Sequence, residues 1–253
     1  MKLFYRELAS RGRPLIILHG LFGSSDNWHT QGKMLAENYH VYLPDQRNHG
    51  QSPHSHDFDL ALLADDIHEF ILTNSISDPV LLGHSMGGKA AMKFALAHPE
   101  LIHKLIVVDI APRAYPVEHG RILEGLKAIP IDTMQSRNEA DEALAAYVTD
   151  ADVRQFLLKN LQRKPEGGFG WKINLPVLDK NIDKISGSVE NDRRFEKPAL
   201  FVRGSRSQYV KDEDAEMIEK LFPQSHLVTM DTGHWVQAEK PKEFVEEVQR
   251  FIA

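Results

Sequence analysis

Six short apolar runs, at 15–18, 41–43, 80–82, 105–108, 199–202 and 226–230, recur along the chain, and each ends in a Gly, Pro or Asp turn signal. They are continuous rather than alternating with polar residues, which is the pattern of strands covered on both faces. Helical periodicity fills intervals at 61–72, 87–97, 212–221 and 242–251. Strand and helix in alternation predict a doubly wound, mostly parallel sheet, with its ligand beyond the carboxyl ends of the strands. The alternation breaks between about 111 and 197. There, 121–127, 138–148 and 153–160 read as amphipathic helices, with a glycine-rich turn carrying two aromatics at 166–172. So long an insertion predicts a helical cap, residues 113–196, over a core built from 1–112 and 197–253.

Composition removes whole classes of function. The chain has no cysteine, hence no disulfide, no thiolate nucleophile and no Cys-bound metal. Its formal net charge of −6 argues against nucleic acid or an anionic membrane as partner. No apolar run nears the roughly 20 residues of a membrane span, and the first residues lack the apolar centre of a signal peptide. A cytoplasmic protein without a membrane partner is the expectation. No histidine pair shows metal-ligand spacing with a carboxylate, so neither metal nor organic cofactor is expected.

Gly83-His84-Ser85-Met86-Gly87 fits G-x-S-x-G, behind one apolar run and ahead of a helical stretch rich in small residues. Glycines at those places allow a sharp strand-to-helix turn that pushes the Ser85 hydroxyl out above the sheet. A serine needs a base before it becomes a nucleophile. Of 13 histidines, His234 stands right after the last run and before the last helix, at the expected level of the site. His98, His103, His119 and His226 lie in turn-like contexts and read as solvated.

Two residues compete for the acid that would orient that base. Asp109 ends the run 105–108, on a strand expected beside the one carrying Ser85; Asp212 stands at a helix start, where an N-cap role also fits. Asp109 is the expected acid. An oxyanion needs two backbone donors. Met86 N–H follows Ser85 directly, and Leu21 N–H lies in His19-Gly20-Leu21-Phe22-Gly23. The polar block 45–52 is expected to brace these loops, with Phe22, His84, Trp171 and Trp235 lining the substrate pocket.

Taken in order, the segments 19–23, 45–52, 83–89 and 233–241 resemble the α/β-hydrolase superfamily. Arg47-Asn48-His49-Gly50, Met86-Gly87-Gly88-Lys89, Val108-Asp109-Ile110-Ala111-Pro112 and Phe156-Leu157-Leu158-Lys159 are similar to YbfF-type bacterial esterases and their mitochondrial abhydrolase relatives. The resemblance implies an α/β-hydrolase fold with its cap after the sixth strand in that family's count. It further implies a Ser–His–Asp esterase or thioesterase, with Asp109 as acid, acting on a small-molecule ester or thioester without a cofactor. The chain departs from the commoner superfamily pattern, G-x-x-D after the seventh strand: here Gly204-Ser205-Arg206-Ser207 ends in serine.

The same serine is kept by carbon–carbon bond hydrolases and lyases of this fold, and by weakly catalytic small-molecule receptors, so fold leaves those alternatives open. Arg121, Arg154, Lys159 and Arg163 read either as a positive rim for an anionic thioester or as a solvated helix face.

Overall fold

The computed structural model describes residues 1–116, 120–190 and 192–253. In chain order it begins β1 (Tyr5–Leu8), β2 (Pro14–Leu18), α1 (His29–Leu35), β3 (His40–Pro44) and α2 (Leu60–Thr73). Next come β4 (Val80–His84), α3 (Met86–Ala97) and β5 (Lys104–Val108). The insertion holds α4 (Gly120–Ala128), α5 (Arg137–Ala145), α6 (Ala151–Leu158), β6 (Leu161–Arg163), β7 (Phe169–Trp171), α7 (Leu175–Lys180) and α8 (Ile182–Ser186). The chain then returns through β8 (Ala199–Gly204), α9 (Ala215–Leu221), β9 (Ser225–Met230), α10 (Val236–Glu239) and α11 (Pro241–Ile252).

Seven strands form one sheet in the order β1-β3-β2-β4-β5-β8-β9. Only β1 runs against its neighbour in this sheet; β2 to β9 pair in parallel along the order. The strand that is sixth in the family's count is thus β5 here. Continuous apolar runs make sense of this sheet because each strand feeds two cores. Ile16 and Leu18 of β2 face the core under α2, α3 and the insertion, while Leu15 and Ile17 face the one under α1 and α11. On β5, Leu105 and Val107 join the first core, Ile106 and Val108 the second.

The helices form where stripes and caps coincide. In α2, Leu60, Leu63, Ile67, Phe70 and Ile71 make a buried stripe. Asp59 caps it by accepting the Leu62 N–H at 2.8 Å. α11 starts on Pro241, whose missing N–H costs nothing at a helix start, and buries Phe244, Val245, Val248 and Ile252.

Some elements differ from the sequence expectation. β1 is a four-residue edge strand held by pairing with β3. The insertion contains a two-stranded ribbon as well as helices: the turn at 164–168 closes β6 onto β7, which takes up the rest of the glycine-rich stretch. The helix expected at 212–221 splits into a 3-10 turn, Asp212–Asp214, and α9. Asp212 does not cap it: Asp214 accepts the Lys211 N–H at 2.8 Å. Among the described residues no helix is long and apolar enough to cross a membrane.

Candidate active site

Ser85 sits between β4 and α3 with φ +53°, a left-handed conformation that a non-glycine residue adopts only under constraint. The constraint is the crossing of two backbones. A Cβ on Gly83 would stand 2.2 Å from the Gly87 carbonyl oxygen, and one on Gly87 2.6 Å from that of Leu18. Both positions therefore exclude any side chain. Met86 N–H opens α3 and has no acceptor within the helix.

The loop after β2 presses onto the same place: a Cβ on Gly20 would lie 3.3 Å from the Ser85 Cβ. This brings Leu21 beside the serine. Two buried histidines hold the loop. His19 Nε2 accepts the Gln46 N–H at 2.9 Å, so its Nδ1–H donates to the Gly20 carbonyl at 2.8 Å. His49 Nε2 accepts the Phe22 N–H at 3.3 Å, and its Nδ1–H donates to the Arg47 carbonyl at 2.9 Å. Burial pushes their pKa values down to about 4 and about 3, so both are neutral and each ring donates once and accepts once. Asp45 and Arg47 of the same block are engaged as well. Asp45 accepts the N–H groups of Ser25 and Gln51 at 2.6 and 2.8 Å, and the Arg47 guanidinium forks onto buried Asp66.

Asp109 follows β5 with φ +48° and no solvent exposure. Its Oδ1 accepts the Gly204 N–H at 2.9 Å. Its Oδ2 accepts the Ser207 hydroxyl and, at 2.7 Å, the Nδ1–H of His234. With Nδ1 as donor, the neutral imidazole keeps its lone pair on Nε2. Ser207, the serine standing where the commoner pattern has its acid, thus contacts the Asp109 carboxylate. Asp212 does not reach this group: its side chain is 92% exposed and pairs with Arg203 at 2.7 Å.

Aromatic rings enclose His234. Tyr209 stacks on it with centroids 4.0 Å apart, His84 lies at 4.6 Å and Trp235 meets it edge-on at 5.8 Å. His84 Nε2–H donates to the His234 carbonyl at 2.9 Å. Burial, with His234 nearby, pushes the His84 pKa down to about 3.

Two cavities meet here. The larger, about 910 Å³, is bordered by Ser85, His234, Phe22, His84 and Trp235. The smaller, about 190 Å³, is bordered by Ser85, Met86, Ile110, Ile182 and Ile185. Leu21, Ser85 and Tyr209 border both. Trp171 borders neither: it lies on β7, paired with Leu161 of the ribbon, and packs into the core instead. Of Arg121, Arg154, Lys159 and Arg163, Lys159 borders the larger cavity, Arg154 is tied to Asp141 at 3.0 Å, Arg163 lies over the Phe169 ring, and Arg121 is exposed. His119 lies outside the described residues.

Sequence reasoning missed two members of this region. Tyr209 has no local signal, since its partner is brought from beyond β9. Lys89 does have one: a lysine in the first turn of the helix, set between Gly87-Gly88 and Ala90-Ala91-Met92. It is buried, and its Nζ donates to the carbonyls of Arg113 at 2.8 Å, Ser186 at 3.2 Å and Gly187. Burial, then Arg113, pushes its pKa down to about 7.

Comparison with known proteins bears on the fold and the family. Residues 13–241 match the family model described as alpha/beta hydrolase fold. The mouse sn-1-specific diacylglycerol lipase ABHD11 is 38% identical over 248 residues, covering 94% of this chain and 80% of that protein. Esterase YbfF of Escherichia coli K12 is 33% identical, covering 100% and 99%. The solved structure of a marine microorganism esterase superposes with a TM-score of 0.97 at 42% identity, covering 99% of both chains. On the family match, the relatives and the sheet order together, the chain belongs to the α/β-hydrolase fold family.

Proposed function

We propose that the protein is a serine carboxylesterase, of the esterase and lipase type its relatives' names carry. Its triad is Ser85, His234 and Asp109. The observation that supports this most is the buried Asp109 carboxylate: held by Gly204 and Ser207, it fixes His234 with Nε2 unprotonated on the cavity that Ser85 also borders.

In this reading His234 Nε2 takes the Ser85 proton as Oγ attacks the ester carbonyl carbon. The oxyanion lies against the N–H groups of Leu21 and Met86. As the tetrahedral intermediate collapses, the carbon–oxygen bond to the alcohol breaks and His234 returns its proton to the leaving oxygen. Water, deprotonated by the same imidazole, then attacks the acyl-enzyme and releases the acid and the free serine. Asp109 stabilises the imidazolium in both halves without taking its proton. Esters and thioesters both fit this sequence of steps. Residues 113–196 act as a cap over the strand ends, and 1–112 with 197–253 form the catalytic core.

Hydrolysis of p-nitrophenyl butyrate tests the proposal. Ser85→Ala is expected to lose at least about 10³ in kcat, and an organophosphate is expected to label the parent once per chain and the variant not at all. Equal turnover by parent and variant overturns the reading.

A further inference from the structure

We infer that the two cavities divide the ester between them: the acyl chain enters the small pocket and the leaving alcohol or thiol lies in the large cleft. The substrates are then short-acyl esters of bulky alcohols or thiols. This rests on Ser85 and His234 acting as proposed above.

The division follows from where the base stands. A general acid must touch the oxygen that leaves, and His234 borders the large cavity but is absent from the walls of the small one. The leaving group therefore occupies the large cleft. Around the tetrahedral carbon on Ser85 Oγ, one direction goes to the oxyanion donors Leu21 and Met86 and one to His234. The remaining direction belongs to the acyl chain, and the small pocket is the space that Ser85, Leu21 and Met86 border on the side without His234. Tyr209 forms the partition, stacked on His234 and bordering both spaces.

Volume sets the size of each half. The small pocket, about 190 Å³, has about a fifth of the room of the cleft, about 910 Å³, so the bulkier half of the ester belongs in the cleft. Wall chemistry limits the chain in the same direction. Ile110, Ile182 and Ile185 suit a few methylenes, but Lys89, Arg113 and Lys211 share the lining. A longer alkyl chain would strip water from charged groups, which is unfavourable.

The test is a pair of kcat/KM series on the whole protein. In the first, p-nitrophenyl esters run from acetate to dodecanoate. In the second, acetates of phenol and 2-naphthol, leaving groups of near-equal acidity, report bulk on the other side. The expected acyl optimum is at or below about six carbons, with at least a tenfold fall by decanoate, while 2-naphthyl acetate is cleaved at least as well as phenyl acetate. Ile182→Ala is expected to move the acyl optimum to longer chains. Phe156→Ala, in a residue bordering only the large cleft, is expected to change the naphthyl-to-phenyl ratio and leave the acyl optimum in place. An optimum at ten carbons or more, or an acyl optimum that moves with Phe156→Ala, overturns the division. The parent's two series decide the matter even if a variant fails to fold. Ser85→Ala separates the two levels: if it is inactive while the acyl preference is long, only the division falls; if it remains active, the catalytic reading falls too.

Discussion

Replacing Asp109 with asparagine exchanges one oxygen for an amide nitrogen in a site with no spare room. The consequence follows from the donors around it. Gly204 N–H can only donate, so the asparagine carbonyl must take the place of Oδ1. The amide nitrogen then occupies the place of Oδ2, facing both the Ser207 hydroxyl and His234 Nδ1. Ser207 rotates its hydroxyl and accepts. His234 meets an N–H donor and must present a lone pair at Nδ1, which moves its proton to Nε2, the atom that has to receive the serine proton. The base is thereby blocked, although each hydrogen-bonding position is still filled. The same exchange in a serine-protease triad costs about 10⁴ in kcat, equivalent to roughly 5 kcal/mol of barrier. A loss of that order is expected for Asp109→Asn in p-nitrophenyl butyrate hydrolysis at pH 8, with the thermal midpoint within a few degrees of the parent. Asp212→Asn, which alters a 92% exposed carboxylate paired with Arg203, is expected to stay within about twofold of the parent. If Asp109→Asn keeps a tenth or more of the parent's kcat, or if Asp212→Asn is the damaging change, the tautomer reasoning is refuted.

Gly83→Ala places a methyl 2.2 Å from the Gly87 carbonyl oxygen, where both partners are backbone; a loss of about 3 kcal/mol or more is expected in urea denaturation, and a variant as stable as the parent contradicts the tight crossing. Burial holds His19, His49 and His84 neutral, with pKa values pushed from 6.5 down to about 4, about 3 and about 3. As pH falls below 6.5 the unfolded chain binds protons on them that the folded chain refuses, so stability present above pH 6.5 drains away down to about pH 4 for His19 and about pH 3 for His49 and His84, at up to roughly 1.4 kcal/mol per pH unit for each ring. Urea midpoints at pH 7.5 and 5.5 measure this, and a midpoint that does not fall at the lower pH contradicts it.

The sheet was legible because its strands are buried on both sides, so an unbroken run such as 105–108 reads as a strand whichever core each residue enters. Ser85 and His234 were legible for a local reason: each lies where a strand gives way to a helix, and the first carries its own glycine pattern. Asp109 was legible as a strand-end carboxylate, but its anchors were not. Gly204 and Ser207 are 95 and 98 residues away in sequence, and only the parallel pairing of β5 with β8 brings them to it. β1 carries too few residues to announce itself, and its stability comes from β3. Trp171 shows the opposite failure. An aromatic beside glycines looks like a pocket wall, yet the register of a three-residue ribbon lays it, half-buried, against the core.

The buried ammonium of Lys89 gathers carbonyl groups from Arg113 on one side and from Ser186 and Gly187 on the other. The two ends of the insertion therefore lie side by side, joined by the Tyr115 N–H to the Ser186 carbonyl and the Val189 N–H to the Pro112 carbonyl, and held by this side chain from the helix that follows Ser85. Excursions whose ends meet are exchangeable, because any segment with the same short gap can be spliced between them without moving a strand. Seen that way, the stretch between those carbonyls is a cassette. Swapping it for a different length or composition would redraw the cavity walls that Ile182 and Ile185 supply, and leave the serine, the imidazole and the carboxylate in register.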